Sequence, residues 1–366
     1  MRKGARIGLA LGIAAAMQGC SPIAPVPPEH PVPSMHLIMG DARYSQLLTT
    51  GYVKRWQATA LTRDATIVEG RIRLHGATSR NQLRKNYKLQ LYPCGLRCPE
   101  STLVLTPQYG DPSLCRYRLA HYYFQKTGLM LSRIETVRLF IDGRYEGVYV
   151  CIEDVDEQFL RRRGVPVASL YKINGHGQFS EELGMLPSQS FEKHLPEDHY
   201  NYAELKRLIA LVDQGITAEN RGRIESILDI EDIVDYYAIV RLIEHWDGAA
   251  NNFYLYLQPA SGAFTIIPWD LDQTFQHVLD SIPSYQNGLF EQLERIPVYR
   301  ERLHRAMHRY FDLPGDLAAL DSIYNHTRAL RAIGPYEAFQ GGAGDREYRA
   351  IRAFLFRMDS LLSAER

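Results

Sequence analysis

The sequence predicts an α+β protein, strand-rich in its first half and helix-rich in its second. Three observations lead there. Apolar and polar residues alternate between Gln57 and Leu91, a second alternating pair surrounds Asp142-Gly143, and helical periodicity dominates beyond Tyr202. With 366 residues, 45% of them hydrophobic and 23% charged, the chain has ample apolar material for one large two-lobed domain or two smaller ones.

The N-terminus reads as an export signal. Arg2, Lys3 and Arg6 precede an apolar run from Ile7 to Met17, too short for a permanent membrane span but suited to a secretory signal over residues 1–19. The run ends in Met17-Gln18-Gly19-Cys20, which resembles a lipobox and makes Cys20 the expected site of a lipid anchor. An ordinary signal peptide with a chance cysteine is the plainer alternative. Six prolines between Pro22 and Pro33 then predict an extended tether over 20–34, with the folded body from about Met35. The expected location is therefore extracytoplasmic, on a membrane through that anchor. Ser21 in place of an aspartate favours outer-membrane sorting in a double-membraned bacterium.

Cys94, Cys98, Cys115 and Cys151 would meet oxidising conditions after export, and three pairings are open to them. Cys98 with Cys115 is the pairing preferred here. A four-thiolate zinc site is disfavoured because two tight CxxC hooks are lacking. The 42 basic residues balance 42 acidic ones, and loss of residues 1–19 removes three cations, leaving about −3. No basic excess is present to neutralise a phosphate backbone, so nucleic acid is not an expected partner.

Along the body, ATALTR, ATIVEGRIRLHG and NYKLQLYP read as strands separated by turn residues. Leu114, Tyr117, Arg118 and His121 predict a helix between Ser113 and Thr127. ETVRLFID and YEGVYVCIEDV form a hairpin through Asp142-Gly143. Residues 174–200 read as an irregular polar insertion. DIEDIVDYYAIVRLIEHW is a helix with Asp229 as its N-cap. NNFYLYLQ and AFTIIPWDL are short strands about Ser261-Gly262, and the C-terminal third is mostly helical.

The densest chemistry lies between Glu244 and Asp272. In EHWDGAANNFYLY, Asp247 precedes Asn252 by five positions, and in IIPWDLDQTF an apolar strand delivers Asp270 and Asp272. Phosphoryl transfer needs a carboxylate to accept a hydroxyl proton, and oxygen ligands that hold Mg²⁺ against phosphates. The Asp-x4-Asn spacing followed by a hairpin and an aspartate is that of a kinase catalytic region. Singly, such short motifs are more often caps or turns; here two apolar strands aim them at one place.

A second cluster is RIRLHGATSRNQLRKNYKLQLYP. Arg73 lies on a strand, Ser79 in the Gly76–Arg80 turn, and Lys85 and Lys88 lead into the next strand. Backbone N–H groups, hydroxyls and cations of this kind suit phosphate, although a basic hairpin edge would look the same.

Four stretches in order, HGATSRNQLRKNYKLQL, FIDGRYEGVYVCIEDVDEQFL followed by SLYK, HWDGAANNFYLY and PWDLDQTF, resemble the spore-coat protein H (CotH) kinase family. The resemblance runs from about Met35 to the terminal helix. It implies an atypical protein-kinase-like fold with an N-lobe of about 35–170 and a C-lobe of about 171–366. It also implies ATP with Mg²⁺ or Mn²⁺ as cofactors and a protein of the cell envelope as acceptor. Carried over by residue, Asp247 is the catalytic aspartate, and Asn252 (or Asn251), Asp270 and Asp272 are metal ligands. Lys85, with Lys88 as fallback, contacts ATP phosphates, and Glu153 lies on a strand lining the nucleotide site. Arg84 stands where the family commonly has the first lysine of a KK pair. The alternatives are a non-catalytic pseudokinase scaffold of the envelope and a nucleotide-sugar transferase using Asp270-Leu271-Asp272 as its metal motif.

Overall fold

The computed structural model describes residues 32–49, 53–63, 66–76, 82–93, 101–173, 179, 187–196, 201–217, 219–277, 279–285, 287–331 and 342–365. The segment read as an export signal, Cys20, Ser79, Cys94 and Cys98 lie outside them. Among the described residues no helix is long and apolar enough to cross a membrane. The chain divides into two compact units, unit 1 from Met1–Pro112, Arg133–Asp154 and His326–Gly341, and unit 2 from Ser113–Ser132, Val155–Asn325 and Gly342–Arg366.

Unit 1 holds β1 (Ser34–Ile38), α1 (Asp41–Thr49), β2 (Gln57–Arg63), β3 (Thr66–Leu74), β4 (Tyr87–Leu91), β5 (Ser101–Thr106), β6 (Ile134–Ile141) and β7 (Arg144–Glu153). The strands close a barrel in the order β1-β2-β3-β4-β5-β7-β6, shut by parallel pairing of β1 with β6. Alternate residues point inward, so Leu37, Leu61, Ile72, Leu89, Leu105, Leu139 and Tyr149 share one apolar core. Closure leaves no free strand edge. Asp142 and Gly143 turn β6 into β7 with φ of 49° and 79°, the double positive φ of a tight hairpin. The Asp142 carboxylate also accepts from the N–H groups of Met39 (2.7 Å) and Gly40 (3.0 Å), tying the turn to the end of β1. Val32 is buried, and its carbonyl accepts from Arg138 Nε at 3.0 Å.

Unit 2 contains α2 (Arg116–Gln125), α3 (Glu157–Arg162), β8 (Leu170–Ile173), α4 (Pro187–Ser190), β9 (Phe191–Leu195), α5 (Ala203–Asp213), α6 (Arg221–Glu225), α7 (Ile230–Leu242), α8 (Trp246–Ala250), β10 (Phe253–Leu257) and β11 (Phe264–Pro268). It continues with α9 (Leu289–Arg295), α10 (Pro297–Tyr310), α11 (Leu313–Arg331), whose final turn from His326 belongs to unit 1, and α12 (Ala343–Ala364). Its sheet runs β11-β10-β8-β9, all antiparallel.

The α+β class is therefore met, with a closed barrel as the strand-rich part. Several segments depart from the sequence reading, two of them strands that matter for the sheets. Residues 191–195, expected to be irregular, form the edge strand β9, because Phe191 and Lys193 bury on one face. The Lys193 ammonium reaches the Asn201 carbonyl at 2.7 Å, which makes an inward-facing lysine tolerable. Ser101–Thr106, assigned no element from sequence, is β5 of the barrel. Cys115 and Cys151 are both buried; the preferred pairing involves Cys98, outside the described residues.

Candidate functional site

The helix α7 carries the site. Its stripe Ile230, Ile233, Val234, Tyr237 and Val240 is buried, and Asp229 caps it by accepting from the Asp232 N–H at 3.3 Å. Tyr237 stacks on Phe290 of α9 with centroids 4.5 Å apart. Anchored in this way, α7 ends at Leu242, and the next five residues place Asp247 in the first turn of α8.

Both Asp247 oxygens are held. Oδ1 accepts from Asn251 Nδ2 and Oδ2 from Asn252 Nδ2, each at 2.7 Å. Because a carboxylate only accepts, the Asn252 NH₂ must face it, and the amide oxygen is the atom left for a cation. Two of the four lone-pair positions of Asp247 remain beyond these two bonds. The Asn252 carbonyl accepts from the Trp269 N–H at 3.1 Å, one residue before Asp270. With Phe253 opposite Pro268 in the β10–β11 register, the hairpin brings the Asp-x4-Asn stretch and the Trp-Asp-Leu-Asp stretch side by side. Asn252 is buried, Asp247 and Asp272 are half-buried, and Asp270 is exposed.

The electrostatics are those of clustered carboxylates. Surrounding protein pushes the Asp270 pKa up, Lys172 opposes this and Asp247 reinforces it. Asp272 is pushed well up, by burial first and then by the charges of Asp270 and Asp247. Tyr117 of α2 lies against this loop: burial, then Asp270 and Asp272, raise its pKa well above the usual phenol range, and it hydrogen-bonds to the Leu271 backbone.

Backbone strain clusters here. Glu244 and Asp270 have φ of 53° and 54°, where non-glycine residues are uncommon. Glu244 is buried, and Oε2 accepts from the N–H groups of Gln276 and His277 at 2.9 Å each. Oε1 meets His277 Nδ1. His245 is fully buried, which lowers its pKa to about 4. Its Nδ1 lies 3.2 Å from the Gln273 carbonyl, while Nε2 is near the Trp269 backbone without a hydrogen bond of ordinary geometry. The segment before Asp247 thus grips the segment after Asp272. Tyr236 completes the frame by donating to the Gly248 carbonyl at 2.8 Å.

The remaining sequence-predicted residues belong to unit 1. Arg73 and Lys88 face each other across β3 and β4. Arg73 is buried, its Nη1 donates to the Leu74 carbonyl at 3.1 Å, and its guanidinium lies 5.1 Å from the Trp56 ring. Lys88 pairs with Asp154 at 2.5 Å. Lys85 Nζ donates to the Gln82 carbonyl at 2.6 Å. Glu153 is buried and accepts from the Arg133 N–H at 3.1 Å. Arg84 is also buried, donating to the Val148 carbonyl and lying 5.2 Å from the Tyr149 ring. Its guanidinium occupies the space that a Cβ on Gly147 would need, 2.7 Å from Nη2.

Sequence reasoning did not single out Lys172, Tyr117, Glu244 or His245 as members of the site. Lys172 had a signal, since it ends the SLYK stretch. Glu244 and His245 stand three and two residues before Asp247 in the chain. Tyr117 had none beyond its helical spacing.

Among the described residues no three His, Cys, Asp or Glu side chains converge as a metal cage. Mg²⁺ does not require one: it takes one or two carboxylates, retains water and accepts phosphate oxygens. Asp270, Asp272 and the Asn252 amide oxygen have that donor chemistry, and the mutual repulsion of the carboxylates is what a cation would relieve.

A family model described as CotH kinase protein matches residues 72–327, spanning every site residue named above. The chain belongs to the CotH kinase family. It is 25% identical over 303 residues to the inner spore coat protein H of Bacillus subtilis (strain 168), covering 78% of this chain and 83% of that protein. An inner spore coat protein H-like protein of the same organism is 32% identical over 129 residues, 34% of this chain and 41% of its own. Among solved structures, the Helicobacter pylori proinflammatory kinase CtkA aligns over 75% of this chain and 94% of its own. It does so at 11% identity and a TM-score of 0.36, too slight a likeness to argue from.

Proposed function

We propose that this chain is an ATP-dependent phosphotransferase that places the terminal phosphoryl group of ATP on a hydroxyl of an extracytoplasmic protein. The observation that carries this reading is the junction at Asn252. Its amide is fixed by Asp247 and its carbonyl is bonded to the residue before Asp270, which joins a proton acceptor to oxygen ligands on one rigid hairpin. Membership of the CotH kinase family agrees with it.

In this reading Asp247, oriented by Asn251 and Asn252, accepts the proton of the attacking hydroxyl. The Asn252 oxygen, Asp270 and Asp272 hold Mg²⁺ or Mn²⁺, which when bound neutralises charge on the phosphates. Glu244 and His245 keep the two halves of the site in register. Lys85, Lys88, Arg73, Ser79 and Glu153 are assigned to the nucleotide. The acceptor is a protein of the cell envelope, met from a membrane to which Cys20 is lipid-anchored. Fatty-acid labelling of the expressed chain, lost in Cys20→Ala, tests the anchor.

Phosphate incorporation from labelled ATP with Mg²⁺ or Mn²⁺ tests the activity, using the full chain beside Asp270→Ala, with casein and the chain itself as acceptors. Labelling by the wild type that disappears in the variant is expected. A wild type that neither labels an acceptor nor binds ATP in a titration would reject the proposal.

A further inference from the structure

The SLYK stretch forms β8, and its lysine lies over the ring that directly precedes the acidic loop. The β8–β10 register sets Lys172 opposite Tyr254. Its ammonium stands 6.0 Å from the Tyr254 ring and 6.0 Å from the Trp269 ring, and these rings meet edge to face at 5.7 Å. Trp269 directly precedes Asp270. Two aromatic faces therefore hold a half-buried cation at the start of the acidic loop, where its charge acts on the Asp270 carboxylate. Because β8 lies between two other strands, the stem of this lysine is set by sheet geometry rather than by a loop.

We propose that Lys172 is the resident counter-cation of Asp270, standing in the metal-free protein where a divalent cation's charge would act, and contacting phosphate once metal engages the carboxylate. The second half rests on the phosphotransfer reading; the first half, competition with metal, stands without it. A monocation beside a dication site repels the incoming metal, so Lys172 weakens binding of the bare ion. Phosphate oxygens relieve that repulsion by accepting from the ammonium. Metal then binds best together with its nucleotide, and poorly alone.

The test uses the full chain as wild type, Lys172→Met and Lys172→Arg. Free Mn²⁺ is titrated by electron paramagnetic resonance without nucleotide, and phosphate incorporation is measured separately. Lys172→Met is expected to bind Mn²⁺ on the order of 10-fold more tightly while transferring phosphate on the order of 100-fold more slowly. Lys172→Arg, which keeps the charge, should retain the wild-type Mn²⁺ affinity. A merely structural lysine would lose metal binding and transfer together, and that result overturns the proposal. So does Mn²⁺ affinity unchanged in Lys172→Met, or no Mn²⁺ binding by either protein; a melting curve on each variant confirms that folded protein is compared. Mn²⁺ binding without any phosphate transfer by the wild type would reject the phosphotransfer reading alone. The metal titration would still decide whether Lys172 opposes the cation.

Discussion

At Gly248, one residue beyond Asp247, a Cβ would collide with the buried ring of His245. Gly248→Ala must displace that ring or shift α8, and overpacking of this kind costs about 1–3 kcal/mol. A lower unfolding midpoint in urea is expected, together with reduced phosphate incorporation because Asp247 moves with the helix. His245 itself predicts a pH dependence. Its folded pKa of about 4 lies below the ordinary value of 6.5, so as pH falls through this window the unfolded chain takes up the proton first. Stability present above pH 6.5 is then lost towards pH 4, by about 3 kcal/mol for this group. The difference in unfolding free energy between pH 7 and pH 4.5 should shrink by that order in His245→Gln, whatever its absolute stability. An unchanged difference would mean that His245 is not buried as a neutral ring. Asn252→Leu keeps the number and branching of the side-chain heavy atoms but loses both the amide that orients Asp247 and the oxygen offered to a cation. It should lose most phosphate incorporation and weaken Mn²⁺ binding, whereas Asn251→Leu should retain the metal affinity.

At the scale of the element, α7 links stability to the site. Its N-terminus depends on the Asp229 cap, and its C-terminus leads directly into Glu244 and Asp247. Asp229→Ala should cost about 1 kcal/mol, read from denaturant unfolding. Glu244 is the more consequential residue. Its carboxylate satisfies two backbone N–H groups, and Glu244→Leu would leave both without that acceptor at a cost of about 1–3 kcal/mol each where water cannot replace it. The expected signature is faster hydrogen exchange at Gln276 and His277, accompanied by loss of phosphate transfer. Protection unchanged at these two amides would show that the acidic loop is held by other contacts.

For the whole molecule, binding of a divalent cation to the folded state alone should raise the melting temperature. At 100-fold excess over its dissociation constant the gain is about 2.7 kcal/mol, or about 5 °C for a body of this size. The shift should vanish in Asp270→Ala, which lacks the exposed carboxylate. A shift of the same size in that variant would place the stabilising ion elsewhere in the chain.

Periodicity made much of the architecture legible: the alternating segments of β2, β3, β4, β6, β7, β10 and β11, the cap at Asp229, and the turn at Asp142-Gly143. The stretches pairing Asp247 with Asn252 and Asp270 with Asp272 were legible too, because short-range spacing and an apolar strand are local properties. Closure of seven strands into a barrel depended on β1 meeting β6 in parallel, a pairing across about a hundred residues that no local pattern encodes. The assignment of α2 to unit 2 was likewise tertiary. Its buried face carries Phe124, which packs 5.6 Å from Tyr236 of α7, so the helix joins that core although strands flank it in the chain. Lys172 illustrates the same limit at the site. The sequence alone determined that a lysine ends SLYK and that an acidic loop follows about a hundred residues later. Their meeting was decided by the β8–β10 register, because hydrogen bonding between strands distant in the chain, rather than spacing along it, sets which charges meet.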